Sequence, residues 1–230
     1  MTRPTVPARV KVWDVPVRLF HWMLLVLLAF SWWSGEEGNE WMPYHEWSGA
    51  AILTLVLFRI AWGFVGSDTA RFADFVRSPR HSYAYFRSVL QRQAKAYLGH
   101  NPLGGWMIVS LLLVLLVQAV TGLFGNDDNG YEAPLSHWIP HDVSSLITAL
   151  HAYNFDLLLG LVGLHIAAVA THQVLRRDDM ITAMFTGVKT QLAGATAGRM
   201  ASNGRALALL AFAAALVYGL LRIGGGPSGM

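Results

Sequence analysis

The chain has 230 residues, of which 54% are hydrophobic and 13% charged, about half the charged share of an ordinary soluble domain. This composition excludes a soluble globular protein, and the absence of cysteine excludes disulfides, Cys-ligated iron–sulfur clusters and covalent haem attachment through Cys-x-x-Cys-His. The formal net charge of +3 does not indicate a nucleic-acid-binding protein, because the basic residues follow the loops between apolar segments.

The N-terminal tail, residues 1–17, is polar and contains proline, and it lacks the pattern of a cleaved signal peptide. Five apolar segments follow, each near the ~20 residues that a bilayer core requires. They predict an all-α membrane protein with spans at about Leu19–Trp33, Trp47–Val65, Gly105–Phe124, Leu150–Val174 and Ala206–Leu221. The predicted organisation is a tail (1–17), a core (18–175) with a cytoplasmic loop (66–104) and a periplasmic loop (125–149), a cytoplasmic linker (176–205), a fifth span (206–222) and a Gly-rich periplasmic tail (223–230).

The basic residues orient these spans. Of the 17 Lys and Arg residues, 15 fall in the tail, in the loop after span two and in the linker after span four, which all lie on one side. The positive-inside rule therefore predicts a cytoplasmic N-terminus and a periplasmic C-terminus. These residues are Arg3, Arg9, Lys11, Arg18, Arg71, Arg77, Arg80, Arg87, Arg92, Lys95, Arg176, Arg177, Lys189, Arg199 and Arg205.

The two opposite loops, 34–46 and 125–149, contain no Lys or Arg. Their acidic residues admit two interpretations, either ordinary solvated loops or a docking face for a basic periplasmic protein. Tryptophans near the same boundary are expected to be interfacial anchors. The acidic residues are Glu36, Glu37, Glu40, Glu46, Asp127, Asp128, Glu132 and Asp142, and the tryptophans are Trp32, Trp33, Trp41, Trp47 and Trp138.

Four of the nine histidines stand in or at the ends of spans. His21 lies in the first turn of span one, His45 opens span two, His151 opens span four, and His165 lies well inside it. Any one of them alone would fit a hydrogen-bonded core or interfacial histidine. An ionisable group within a span is costly, however, and four together indicate a functional site.

His151 and His165 are 14 residues apart, close to four helical turns, so both project from one face of span four, roughly 21 Å apart along its axis. Because span one runs outward and span two inward, depth pairs His45 with His151 at the outer level and His21 with His165 at the inner level. Two imidazole pairs stacked in a helix bundle suit two six-coordinate haem irons. Such closed coordination favours electron transfer over ligand chemistry at iron.

Three further residues are candidate cofactor contacts. Gly49, four residues after His45, could let a porphyrin approach the backbone or could serve ordinary helix packing. Arg18 and Arg59 lie near the inner level, where they could pair with haem propionates or snorkel to lipid headgroups. Of the other histidines, His172 lies too close to the inner interface, and the remaining four lie in loops where we expect them to be solvated: His81, His100, His137 and His141.

Several motifs around these residues resemble the prokaryotic cytochrome b561 family, which includes the b-type cytochrome subunits of membrane-bound nickel–iron hydrogenases. Together the motifs cover residues 12 to about 175. They are VWDVPVRLFHW at 12–22, HEWSG at 45–49, FRIAWGFVGS at 58–67, HNPLGGW at 100–106, and the segment from His151 to His165, which ends in GLH.

The resemblance implies a four-helix transmembrane bundle with two haem b groups in the bacterial inner membrane. It implies haem ligands at the four histidines that depth and spacing select, and electron exchange between a quinone (ubiquinone or menaquinone) and a periplasmic c-type cytochrome or oxidoreductase subunit. The fifth span departs from the four-span pattern and has no histidine. We expect it to pack against lipid or a partner.

Three functions compete within this family: an electron conduit for a hydrogenase or another periplasmic oxidoreductase, a relay to a cytochrome c, and a free-standing superoxide:ubiquinone oxidoreductase. An acidic outer face should repel the superoxide anion and attract a cationic protein, which ranks the third function last. A fourth possibility, from another class, is a transport or structural subunit with proton-relay histidines. Haem absorbance would exclude that alternative.

Overall fold

The computed structural model describes residues 8–38, 40–93, 97–126, 130–175, 178–191 and 198–225. Within these ranges the chain is mainly helical, with one short two-stranded sheet that the sequence analysis did not anticipate. The helices are α1 (Val15–Glu36), α2 (Met42–Val65), α3 (Phe72–Phe75), α4 (Pro79–Leu90), α5 (Pro102–Gly122), α6 (His141–Leu175), α7 (Met180–Thr186) and α8 (Asn203–Ile223). The strands are β1 (Ala8–Lys11) and β2 (Val188–Gln191).

Five helices, α1, α2, α5, α6 and α8, are long and apolar enough to cross a membrane, which confirms the predicted number of spans. Their ends follow local rules: a proline stands at the first or second residue of α1, α2 and α5, where a missing N–H costs no helical hydrogen bond. The fourth span is longer than expected, because α6 begins at His141 inside the predicted periplasmic loop rather than at Leu150.

The chain divides into two compact units. The first comprises Met1–Leu19, Ala61–Ser110 and Gly163–Ala206, and the second comprises Phe20–Ile60, Leu111–Val162 and Leu207–Met230. The long helices contribute residues to both units. His45 and His151 belong to the second unit, as does His21, whereas His165 belongs to the first.

The second unit has an apolar core centred on α2. Ile52 and Val56, one turn apart on α2, pack in one buried cluster with Val114 and Leu115 of α5 and Leu158 of α6. More than half of the most apolar stretch of α2 is buried, the largest share among the five spanning helices. The helix that carries His45 is therefore the central one, and its position is determined by apolar contacts on several sides.

The fifth span, α8, packs against its own chain along one face. Val217 and Leu221, one turn apart, share a buried cluster with Ala50 and Leu53 of α2 and with Leu123 after α5. The opposite face carries exposed apolar side chains, including Phe212 and Leu216. The expectation of a helix packed only against lipid or a partner was therefore incomplete, since α8 covers the half of α2 that follows His45.

The first unit is organised around the segment between β1 and α1. Strand β1 pairs antiparallel with β2, with Arg9 opposite Thr190, and the N–H groups of Val12 and Trp13 both donate to the carbonyl of Gly187, at 2.8 and 3.2 Å. Gly187 ends α7 with φ of 81°, and a Cβ there would lie 2.7 Å from the Trp13 carbonyl oxygen. Only glycine fits this conformation and this approach without strain.

Asp14 joins the start of α1 to the end of α2 within the first unit. Its carboxylate accepts a hydrogen bond from the Val17 N–H at 2.8 Å, which caps α1, and another from the Trp62 indole N–H at 2.9 Å. Trp62 is fully buried and Asp14 nearly so. A buried carboxylate is tolerated only where it accepts hydrogen bonds, so Asp14 needs both the Val17 N–H and the Trp62 indole N–H. Without Asp14, each of these two donors would lose its acceptor.

Replacing Asp14 by Ala should lower the free energy of unfolding by about 1–3 kcal/mol, because the α1 cap is lost and the Trp62 indole loses its acceptor. Thermal unfolding in detergent, followed by circular dichroism, measures this. The matched control is Asp74→Ala, since Asp74 is half-exposed and pairs only with nearby Arg71 among the contacts described; it should change stability by less than ~0.5 kcal/mol. Equal effects would contradict the assignment.

Candidate functional site

His45 and His151 face each other within the second unit. Their ring centroids are 6.2 Å apart and the ring planes cross at 72°. Imidazole nitrogens bind metals at about 2 Å, so a metal held between two imidazoles separates their centroids by roughly 6 Å. The two rings meet edge to face rather than stacked, and their separation is also that of two imidazoles on one metal ion.

The His45 ring is held by α1. Its Nδ1 lies 2.7 Å from the carbonyl oxygen of Ser31, which accepts the hydrogen bond. One turn later, Gly35 lies against the same ring, and a Cβ at Gly35 would come within 3.0 Å of Nδ1. Because a carbonyl can only accept, Nδ1 carries the proton, and the lone pair of Nε2 is left available to a metal.

The His151 ring is held by α5 in the same manner. Its Nδ1 lies 3.1 Å from the Thr121 hydroxyl oxygen. That hydroxyl has one proton, which it donates to the carbonyl of Val117 at 2.7 Å or of Gln118 at 3.0 Å. The hydroxyl oxygen is then an acceptor for the His151 Nδ1–H, which again leaves Nε2 as the available nitrogen. Gly122 lies beside the ring, where a Cβ would be 3.1 Å from Cε1.

A second polar contact fixes α6 on α5 one turn from His151. The Asn154 amide donates to the Val114 carbonyl at 3.0 Å and to the Gln118 side-chain oxygen at 2.6 Å, and Asn154 is buried. This contact was not predicted, although the sequence carries a signal for it. Two uncharged polar residues, Gln118 and Asn154, interrupt apolar segments, where polar groups are costly unless paired.

The other two predicted ligands lie in different units. His21 is half-buried near the start of α1, and its ring meets the Trp22 ring edge-on with centroids 5.0 Å apart. His165 is half-buried on α6. The pairing of His21 with His165 therefore stays a prediction.

The three candidate cofactor contacts have different surroundings. Arg18 donates to the carbonyl of Phe185 at the end of α7, a contact with its own chain that neither interpretation of this arginine anticipated. Arg59 is only 3% exposed, so protein rather than lipid surrounds it and snorkelling to headgroups is excluded for this residue. A Cβ on Gly49 would meet no protein atom within 4 Å, which leaves space beside the helix one turn after His45.

One expectation for the loop histidines was wrong. His100 is only partly exposed, because its ring contacts those of Trp13 and Phe75, with centroids 4.5 and 4.8 Å away. The segment before α5 folds back onto the N-terminal segment of the first unit, and that long-range contact cannot be read from local polarity. His137 is exposed in the outer loop, as expected.

Comparison with known proteins places these histidines in a family context. The sequence profile of prokaryotic cytochrome b561 matches residues 12–187. The probable Ni/Fe-hydrogenase B-type cytochrome subunit of Rhizobium leguminosarum bv. viciae is 27% identical over 212 residues, covering 77% of this chain and 87% of that protein. The protein of the same description from Bradyrhizobium diazoefficiens is 26% identical and covers 80% and 86%, and that from Rhodobacter capsulatus is 24% identical and covers 79% and 81%. No solved structure matches the chain.

Proposed function

Because the chain belongs to the prokaryotic cytochrome b561 family, we propose that it carries electrons across the membrane through two haem b groups, between a membrane quinone and a periplasmic redox partner. Membership itself establishes a multi-pass membrane cytochrome of the b type that acts in electron transport. The number of haems, their ligands and the identities of the electron donor and acceptor are the proposal.

The single observation that best supports the proposal is the geometry of His45 and His151. The two rings stand at a separation suited to one metal ion, and each has its Nδ1 engaged by a neighbouring helix. A hydrogen bond from the other ring nitrogen orients a metal-bound imidazole and raises its basicity. Haem, when bound, would supply reversible one-electron exchange, and His45 and His151 would hold its iron.

The inner haem is assigned to His21 and His165 with weaker support. His165 follows His151 by 14 residues on α6, so the two project from one face at levels roughly 21 Å apart. Arg59 is a buried cation on α2, the helix that also carries His45. We propose that it lies beside haem propionates, because a guanidinium matches a carboxylate in both charge and hydrogen-bond geometry. Arg18 is a weaker candidate, because its guanidinium already bonds Phe185.

The proposal for the periplasmic redox partner rests on the charge of the outer loops and on the similarity to hydrogenase cytochrome subunits. Of the eight outer carboxylates, five are exposed. Glu46 is buried and does not contribute to the proposed docking face. Asp127 and Asp128 lie outside the described residues. The outer loops carry no basic residue. With a cytoplasmic N-terminus, this face would attract a basic c-type cytochrome or an oxidoreductase subunit such as a hydrogenase. The exposed residues are Glu36, Glu37, Glu40, Glu132 and Asp142.

A pyridine haemochrome assay on the purified chain should give about two haem b per polypeptide, one for each histidine pair. His151→Ala should lose mainly the outer haem and His165→Ala mainly the inner one, each retaining about half of the haem. His137→Ala is the matched control, since this exposed loop histidine should leave both haems in place. Equal loss of both haems from folded His151→Ala and His165→Ala proteins would exclude separate pairs.

Glycine substitutions test the outer site without removing a ligand. Gly122→Ala adds a methyl group 3.1 Å from the His151 ring and should tilt that ring, reducing haem retention and changing the low-temperature spectrum of the outer haem. A Cβ at Gly49 meets no protein atom within 4 Å, so a loss of haem from Gly49→Ala would report a porphyrin against that position. Gly219→Ala on α8 is equally open and should change nothing. If Gly49→Ala also retains full haem, Gly49 is not a cofactor contact.

Electron transfer can be tested with defined donors and acceptors. A short-chain ubiquinol or menaquinol should reduce the haems in liposomes, and the reduced protein should then reduce a basic c-type cytochrome faster than an acidic one. Raising salt from ~10 mM to ~0.5 M should slow the basic reaction by about tenfold or more, since the attraction is screened. Stopped-flow absorbance measures both steps. A rate of cytochrome c reduction that does not change with salt would contradict the proposal of an acidic docking face.

A further inference from the structure

The exposed side of α6 contains a carboxylate, Asp156, that the proposed electron transfer does not use. We propose that Asp156 binds a transmembrane helix of another protein, through a Lys or Arg that the partner helix carries at the same depth. This proposal is independent of the haem ligands, because around the axis of α6 Asp156 points about 140° away from His151 and about 180° away from His165.

The depth of Asp156 follows from its neighbours. Asn154 bonds Val114 and Gln118 of α5, and Leu158 packs in one cluster with Val114 and Leu115. Asp156 lies between Asn154 and Leu158 on α6, so it is at the same depth as residues 114–118 of α5, which are apolar apart from Gln118. It also lies six residues inside Leu150, the predicted outer end of this span, which is roughly 9 Å along the helix axis. The short side chain of an aspartate does not reach the outer surface from there.

The direction of Asp156 follows from helix geometry. Asn154 and Leu158 are buried and face the bundle. A residue two positions from each of them on an α-helix points to the opposite side, about 160° away. Asp156 is accordingly exposed, and its carboxylate makes no hydrogen bond or ion pair with any residue that the structure describes.

The surface around Asp156 is shaped for a close helix contact. Ala149, Ala152 and Gly160 lie within about 80° of one another and of Asp156 around the axis, and all are exposed. A Cβ on Gly160 would meet no protein atom within 4 Å. Small side chains let two helix backbones approach in lipid, where van der Waals contact and polar pairs hold helices together.

Charge complementarity identifies the partner. An ionisable group inside a span pairs with another polar group, because the hydrocarbon of the membrane contains no hydrogen-bonding or charged partner for it. A second copy of this chain offers no Lys or Arg at this depth. Apart from residues near helix ends, the only Lys or Arg in the five spanning helices is Arg59, which is buried within its own chain. The occupant is therefore a helix of a different protein.

The test uses the full-length, haem-loaded chain in liposomes. Because the chain has no cysteine, Ala152→Cys provides a unique cross-linking site one turn from Asp156. The probes are synthetic Leu/Ala transmembrane helices with one central Arg and a cysteine four residues to either side. In a matched peptide Leu replaces the Arg. Disulfide formation under mild oxidation, which requires Cα atoms within about 7 Å, is quantified on non-reducing gels.

We expect several-fold more cross-linking with the Arg peptide than with the Leu peptide, and loss of that difference when Asp156→Leu is added. Ala215→Cys, on the exposed side of α8, should cross-link both peptides equally and weakly. Equal cross-linking of both peptides at Ala152→Cys, or a preference that survives Asp156→Leu, would overturn the proposal. A cross-linked dimer of Ala152→Cys that excludes the Arg peptide would also overturn it, in favour of self-association. Unchanged haem content in each variant shows that the fold is retained.

Discussion

The membrane interior offers no water to hydrogen-bond a polar group, and this constraint determines how the polar side chains of the spanning helices are arranged. An imidazole has two ring nitrogens to satisfy. In His45 and His151 one of them is engaged by an adjacent helix, through the Ser31 carbonyl and the Thr121 hydroxyl. The need to pair every buried donor therefore also selects the tautomer of each ring, and it leaves the second nitrogen of both rings available for a metal.

Apolar packing supports this arrangement from the outside. The central helix α2 carries His45 at one end and is enclosed by α5, α6 and α8 in the second unit. The family match ends at residue 187, whereas α8 begins at Asn203. Val217 and Leu221 of α8 pack against Ala50 and Leu53, which follow His45 by five and eight residues. The helix beyond the matched region thus stabilises the part of α2 nearest to the histidine pair.

Helix α6 combines two roles on two faces. Its inward face presents His151 and the buried Asn154, and its outward face presents Asp156 only five residues beyond His151. In the proposed assembly, a partner helix bound at Asp156 would lie within about two turns of the level of the outer haem. Electron transfer and subunit association would then depend on the same helix.

The sequence by itself determined the elements whose signals are local. Hydropathy located all five spans, and the periodicity of α6 put His151 and His165 on one face. The depth argument also selected His45 and His151, which the structure brings within 6.2 Å. Their second contacts could not be predicted, because Ser31 and Thr121 are ordinary helix residues whose role arises only when α1 meets α2 and α5 meets α6. The burial of Glu46 and Arg59 and the ring contacts of His100 were decided in the same way. The residues that flank a charged side chain or an imidazole do not reveal whether it faces water or protein. Its surroundings are decided only when segments that are distant in the sequence pack together.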